Sequence, residues 1–584
     1  DNTGVTGLTI TNGSLSNSTA LMQSADADVI QMNKSPASVT LSNYGTMTSL
    51  NASAGGSQVV DFTAIASGSN IVNNYAGATM TAYEADSVRP GVNGVVNSWG
   101  TIKSITTAGN SSDGVDAQNN TGVNVTNYAT GQIVGGRHGI TGGALDNTVF
   151  FTTSVTNNGT IQGNNGSGIN LDGFDAKQTA TVINSGSIIG NGITGDGDGI
   201  DVDGVVNITN TGVIRSVNSF SALASGPAFS EGITVGGGSI VNSGLIEGLV
   251  SAGNTNAYGR GITLSGNDIT TGALAGTREA IYANATVANQ SGGVIRGQND
   301  SAIVATGAAS GFTVTISNNA GATIQGGGTT AAAILTGKDN TVINNAGTID
   351  GSSSGKAIEM GSGNNTLTIS GGAASVIGSI NGGVGGTNTM MVNPGAGNSF
   401  AYSGVISNFN SVEIQSGNVI FSGVNTYIGT TRISGGALTL DGANRIDAGS
   451  ALDLNGGILK LTNAGGANGQ TFASLSLSDN SSIDLGSSSI TFNGLGIIGN
   501  GKTLAILNFS SASSPDYAFR FLGDYSSDAA FARLIAGTTV NGVAAKYSFD
   551  GTYTDVVAVP EPETYAMLLA GLGLVAGFAR RRKV

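Results

Sequence analysis

The 584-residue sequence contains no cysteine, one histidine (His138) and one tryptophan (Trp99). Without cysteine there is no disulfide framework, no thiolate-bound zinc and no thiol nucleophile. A single histidine excludes any site built on two. Charge is scarce: Asp, Glu, Lys and Arg make up 10 % of the chain, against about 25 % in an ordinary globular protein. The balance is acidic, with 36 Asp and Glu against 22 Lys and Arg and a net charge of −14. That leaves no basic face for nucleic acid, which is not an expected partner. Aromatic residues are 5 %, so a core must come mainly from Val, Ile, Leu and Ala.

What is abundant is glycine, with 95 residues, more than twice the typical share of about 7 %. It does not recur at every third position, which excludes collagen. Disorder is the rival class for a chain rich in Gly, Ser, Thr and Asn. The regular return of Val and Ile argues against it.

One motif recurs along most of the chain: apolar, spacer, Asn, one or two small residues, Gly, spacer, Ile. Residues 155–161 read VTNNGTI, 182–188 VINSGSI, 208–214 ITNTGVI, 240–246 IVNSGLI and 343–349 INNAGTI. The aligned asparagines are Asn43, Asn73, Asn97, Asn127, Asn157, Asn184, Asn210, Asn242, Asn289, Asn318 and Asn344. A second motif, Gly or Ala followed by Ile, runs in phase at Gly139-Ile140, Gly168-Ile169, Gly199-Ile200, Gly232-Ile233, Gly261-Ile262, Ala302-Ile303, Ala333-Ile334 and Ala357-Ile358. Apolar and polar residues alternate within each motif, which is a strand period. Short strands repeating every ~28 residues between Gly and Asn turns predict the coils of a β-solenoid. The fold class is all-β, a long right-handed parallel β-helix with a short C-terminal hydrophobic helix. Asn127, Asn157, Asn184, Asn210 and Asn242 are expected to form a ladder of amides along one corner. Glycine beside them is expected to supply positive-φ corner geometry. A β-sandwich is the alternative, but it does not need Asn and Gly at constant phase over ten copies. The Asn242–Asn289 spacing is unusually long and predicts a loop over Thr263 to Glu279.

Four segments are expected: Asn-x-Gly-x-Ile coils over 1–385, a modified helix over 386–469, a β-rich cap over 470–557 and a tail over 558–584. Residues 421–440, FSGVNTYIGTTRISGGALTL, resemble the autotransporter-associated β-strand repeat. That resemblance implies continuation of a β-helix in a cell-surface or secreted protein. No membrane barrel is expected after 470, because too few residues follow and the last segment is helical.

The tail has three parts in order. Val559-Pro560-Glu561-Pro562 precedes an apolar run from Ala566 to Ala579, and Arg580, Arg581, Arg582 and Lys583 follow. A helix of about 15 residues spans ~22 Å, short of a ~30 Å hydrocarbon core. The basic cluster would hold its end on the cytoplasmic side. The tail resembles the PEP-CTERM sorting signal of Gram-negative exopolysaccharide producers. The resemblance implies an exosortase-type enzyme that recognises Pro560, Glu561 and Pro562, transient inner-membrane contact, and delivery to the cell surface, outer membrane or matrix. Export of the body also implies a leader ahead of Asp1.

Candidate chemistry is confined to GDGDGIDVDG at 195–204. Asp196, Asp198, Asp201 and Asp203 lie close together, and by phase Asp172 stacks on Asp203 and Asn170 on Asp201. Carboxylate oxygens at this density suit Ca²⁺, whereas a solvated acidic turn is the plainer reading. Paired carboxylates are also what polysaccharide hydrolysis uses. His138 is read as a surface turn residue, and no cluster of Lys or Arg is present for a lyase. Tyr44, Tyr75, Trp99 and Tyr128 fall beside the Asn corner and are expected to stack there, as corner packing or as a sugar platform. The expected function is a non-enzymatic, exported structural or adhesive protein with polysaccharide or cell-surface ligands. The alternative is a polysaccharide-degrading enzyme using residues 196–203.

Overall fold

A computed structural model describes residues 6–559 and 562–581, apart from 54, 107–111, 144–148, 173–176, 195, 196, 220–226, 267–279, 463–468, 487 and 510–518. The chain forms two compact units, Asp1–Asn388 and Thr389–Val584.

The first unit is a parallel β-helix. Each coil gives one strand to each of three sheets, and the second sheet has 13 strands, from Leu21–Ser24 to Ser375–Ile377. Pairing between successive coils is parallel and in register, so like residues stack. In the first sheet Val125, Val155, Val182, Ile208 and Ile240 lie over one another. Ile133, Ile161, Ile188, Ile214 and Ile246 do so in the second. Ile140, Ile169, Ile200, Ile233 and Ile262 do so in the third. All fifteen are buried. β-Branched chains suit this pleated interior, and each buried one contributes about 1.5–3 kcal/mol of transfer free energy. The long-spaced coil keeps its place: Gly266 and Ala280 form an antiparallel bridge at the base of the excursion, and residues 267–279 beyond it lie outside the described residues.

The second unit is also built mainly of parallel strands. Phe400, Val419, Leu438, Leu459, Ile483, Ile506 and Val540 form one buried column. Parallel pairing therefore runs to Thr538–Val540. Antiparallel pairing begins at Val543, within the span 470–557 expected to be β-rich. The aromatic enrichment of this span includes an interior column, with buried Phe472, Phe492 and Phe521 at equivalent positions on successive strands. Helix Ala529–Ala536 is capped by Asp528, whose carboxylate accepts the Ala530 and Phe531 N–H groups, and it buries Phe531 and Leu534. Asn541 and Gly542, both at positive φ, then reverse the chain as in a type I′ hairpin. Val543–Phe549 and Tyr553–Ala558 follow as antiparallel strands over the last parallel edge, blunting a surface open to further pairing.

Corner ladders, an acidic cavity and the C-terminal motif

Two hydrogen-bonded ladders run along corners of the first unit. In the first, Asn127 Nδ2 donates to Asn157 Oδ1, Asn157 to Asn184, Asn184 to Asn210, each at 2.8 Å, and Asn210 to Asn242 at 2.8 Å. Asn242, Asn289, Asn318 and Asn345 extend it, and Asn12, Asn43 and Asn74 form the same pattern earlier. Every amide also donates to a carbonyl of the following coil, such as Asn157 to Ser187 O at 3.1 Å. Three positions differ from the sequence alignment. Asn74, Ser98 and Asn345 occupy the rungs, whereas Asn73, Asn97 and Asn344 lie one residue earlier on the opposite face. Asn97 and Asn73 make a separate contact at 3.0 Å.

The glycines beside this ladder are needed for space. Gly159, Gly186, Gly212 and Gly244 are not at positive φ, contrary to the expected corner geometry. A Cβ on Gly186 would lie 2.1 Å from Gly159 O, and one on Gly244 would lie 2.1 Å from Gly212 O. Backbones of adjacent coils touch there.

Ser98 breaks the amide ladder. It stacks between Asn74 and Asn127 and bonds to Gly100 O, and Asn127 Oδ1 is left buried without a partner. Ser98→Asn is expected to complete the ladder and stabilise the protein by about 1 kcal/mol, measured as a higher urea midpoint. An unchanged or lower midpoint would show that the corner has no room for the amide.

The second ladder was not anticipated. Over the coils from Asp86 to Asp198, the residue two before the third-sheet Ile or Val accepts the backbone N–H of its counterpart in the next coil. Asp86 accepts from Asp113 (2.7 Å), Asp113 from His138 (2.9 Å), His138 Nδ1 from Ser167 (2.8 Å), Ser167 Oγ from Asp198 (3.2 Å) and Asp198 from Glu231 (2.9 Å). The sequence signal is polar-Gly-Ile, as in His138-Gly139-Ile140 and Ser167-Gly168-Ile169. His138 is thus 9 % exposed and not a surface residue. A ring nitrogen that accepts carries no proton, so the imidazole is neutral with its proton on Nε2. Burial, and then the Arg137 guanidinium, push its pKa down to about 3.

That depression makes stability pH-dependent. An unfolded chain takes a proton on His138 below about pH 6.5, while the folded chain does not until about pH 3. The stabilisation is complete above 6.5 and is lost at about 1.4 kcal/mol per pH unit as pH falls toward 3. Asp116 opposes it. Burial, and then Asp86, raise its pKa to about 6, so the folded state gains a proton first and is favoured on acidification. His138→Gln keeps an acceptor without the titration. The stability difference between variant and wild type is expected to shift in favour of the variant between pH 6 and 4, read from denaturant midpoints. A difference independent of pH would contradict the neutral imidazole.

The acidic segment divides among different tasks. Asp198, 2 % exposed, is a rung of the second ladder and also accepts Thr234 Oγ1 at 2.7 Å. Asp201 pairs in register with Asn170 and lines a cavity of about 230 Å³. Asp203 lies in the turn, its N–H on Leu171 O, and exposed Asp172 accepts Asn170 Nδ2. Asp196 lies outside the described residues. Among the described residues, which leave out Asp196 of the expected Ca²⁺ set, no group of three His, Asp or Glu side chains is placed to hold a metal ion. The cavity is completed by Glu231, Arg260, Phe229 and Ser265, residues the sequence reading passed over. Arg260 pairs with Asp300 at 2.8 Å and lies 3.7 Å above the Phe229 ring.

Tyr44, Tyr75, Trp99 and Tyr128 stack continuously, with centroids 4.2, 5.4 and 4.0 Å apart and planes within 8°. Tyr75 and Trp99 are stacked on both faces, and Tyr44 and Tyr128 on one each. The stack runs along the corner, as expected for corner packing of these side chains.

The C-terminal apolar run lies in helix Pro562–Arg581. Met567, Leu569, Leu572, Leu574, Val575 and Phe578 are exposed. Pro562, Arg580 and Arg581 belong to this helix, while Pro560, Glu561, Arg582 and Lys583 lie outside the described residues. Residues 558–583 match the PEP-CTERM protein-sorting motif. The PEP-CTERM motif marks the chain as exported and sorted to the envelope, and implies processing by an exosortase-type system. Among the described residues no helix is long and apolar enough to cross a membrane. No curated protein and no solved structure matches the chain.

Proposed function

We propose that this is a non-enzymatic structural or adhesive protein of the envelope or exopolysaccharide matrix of a Gram-negative bacterium, released to its destination through the PEP-CTERM tail. The observation that carries this reading is the sorting motif joined to a body made by stacking one coil. Such stacking gives an extended surface of repeated outward positions and only local contacts. Its outward residues are Thr, Ser and Asn, with few charges, which suits hydrogen bonding to polysaccharide. The tail contacts the inner membrane transiently and is then removed. An enzymatic alternative would draw on Asp201 and Glu231 in the cavity.

Removal of residues 559–584 is expected to abolish sorting, so that the body is no longer retained at the surface. The intact mass of mature wild-type protein should correspond to a chain ending near Pro562. Mature protein that retains Arg580 to Val584 would refute processing. Incubation with acidic and neutral polysaccharides should give pelleting without depolymerisation. Turnover lost in Asp201→Asn would establish the enzyme instead.

A further inference from the structure

The cavity over the third sheet has about 230 Å³, below the roughly 300–1,000 Å³ of pockets for drug-sized ligands. Its size suits a single sugar unit. It is built on four successive coils, since Asp201, Thr234, Thr263 and Val304 are register neighbours. Three carboxyl groups, Asp198, Asp201 and Glu231, face it against one guanidinium, Arg260. Arg260 is held by Asp300 at 2.8 Å and by the Phe229 face, with Glu231 further off at 3.5 Å. The cavity therefore repels an anion such as a uronate and attracts a cation.

A second observation is independent of charge. Ser265 lines the cavity and is 7 % exposed, and its Oγ has no hydrogen-bond partner. An unpaired buried hydroxyl is costly to keep, and a ligand hydroxyl would satisfy it. The carboxylates are also fixed in orientation: Thr234 donates to Asp198 at 2.7 Å and Thr263 to Glu231 at 2.9 Å. Yet no three such groups among the described residues converge tightly enough for a metal ion. The spacing favours a larger organic cation with hydroxyl groups.

We propose that this cavity binds one amino-sugar residue of an extracellular polysaccharide, its protonated amine among Asp198, Asp201 and Glu231 and a ring hydroxyl on Ser265. The proposal rests on the reading of the protein as a matrix-facing binder and names its ligand class. Glucosamine is titrated into the full chain by calorimetry, beside N-acetylglucosamine, glucose, glucuronate and calcium chloride. Saturable binding is expected for glucosamine alone. Asp201→Asn should weaken it about tenfold or more, as expected for one charge-assisted hydrogen bond, and Ser265→Ala by a smaller factor. Circular dichroism verifies the fold of each variant, and either folded variant suffices. Equal binding of glucose, calcium binding in place of glucosamine, or unchanged affinity in a folded Asp201→Asn variant would overturn the proposal. Correct sorting with no glucosamine binding would defeat the pocket and leave the export reading. Binding by a protein that is not sorted would do the reverse.

Discussion

Gly212→Ala is expected to be among the most destabilising single-methyl changes in the first unit, at about 3 kcal/mol or more. The added Cβ would lie 2.1 Å from Gly186 O, 2.7 Å from Ser185 C and 2.8 Å from Ser185 O. These are backbone atoms of the preceding coil, and no rotamer change relieves them. Neither coil can easily retreat, because Gly186 presses equally on Gly159 and Gly244 on Gly212. Strain at one corner is therefore handed to both neighbours. The adjacent Thr211→Ala change is the control: it removes one long hydrogen bond to Asn184 O at 3.3 Å and should cost under about 1 kcal/mol. Urea midpoints of the two variants test the contrast. Equal midpoints would mean that the coils separate at little cost.

Asn210→Ala is expected to cost about 3 kcal/mol. Asn210 is fully buried. Its amide donates to Asn242 Oδ1 at 2.8 Å and Leu245 O at 3.2 Å, and its Oδ1 accepts Asn184 Nδ2 at 2.8 Å. Alanine strands groups on both adjoining coils, and each buried polar group left unpaired costs about 1–3 kcal/mol. Because the rungs are linked, the effects of Asn184→Ala and Asn210→Ala should not add. A double-mutant cycle reads the coupling directly. Additive losses would show independent side chains at one corner and no ladder.

The parts of this architecture that were readable in the sequence are those where one residue type performs one task. The third-sheet column from Ile140 to Ile358 was visible because one β-branched residue type fills the interior at each repeat. The amides from Asn127 to Asn318 were visible because an amide accepts from one rung while its NH₂ donates both to the next rung and to a carbonyl of that coil. Where two asparagines adjoin, as at Asn73-Asn74 and Asn344-Asn345, letters alone do not decide which faces inward. A one-residue slip moves a strand residue to the other face. The second ladder escaped for the opposite reason. Its rungs need only an acceptor, so Asp113, His138, Ser167 and Asp198 are interchangeable in task and unlike in name. The cavity escaped because Asp201, Glu231, Arg260 and Ser265 come from different coils and converge only through register.

The low charge has a structural counterpart. Arg215, Glu247 and Arg296 occupy equivalent positions on three successive second-sheet strands, and buried Glu247 pairs with Arg215 at 2.9 Å and with Arg296. In-register stacking brings such side chains within one strand spacing, and along this row the signs alternate.

The aromatic stack turns the chain's only tryptophan into a local optical reporter. Trp99 lies between Tyr75 and Tyr128, so its emission follows the integrity of those few coils alone, while circular dichroism averages over every strand. Recorded together during unfolding, the two signals separate fraying of the early coils from loss of the whole helix, without any introduced dye.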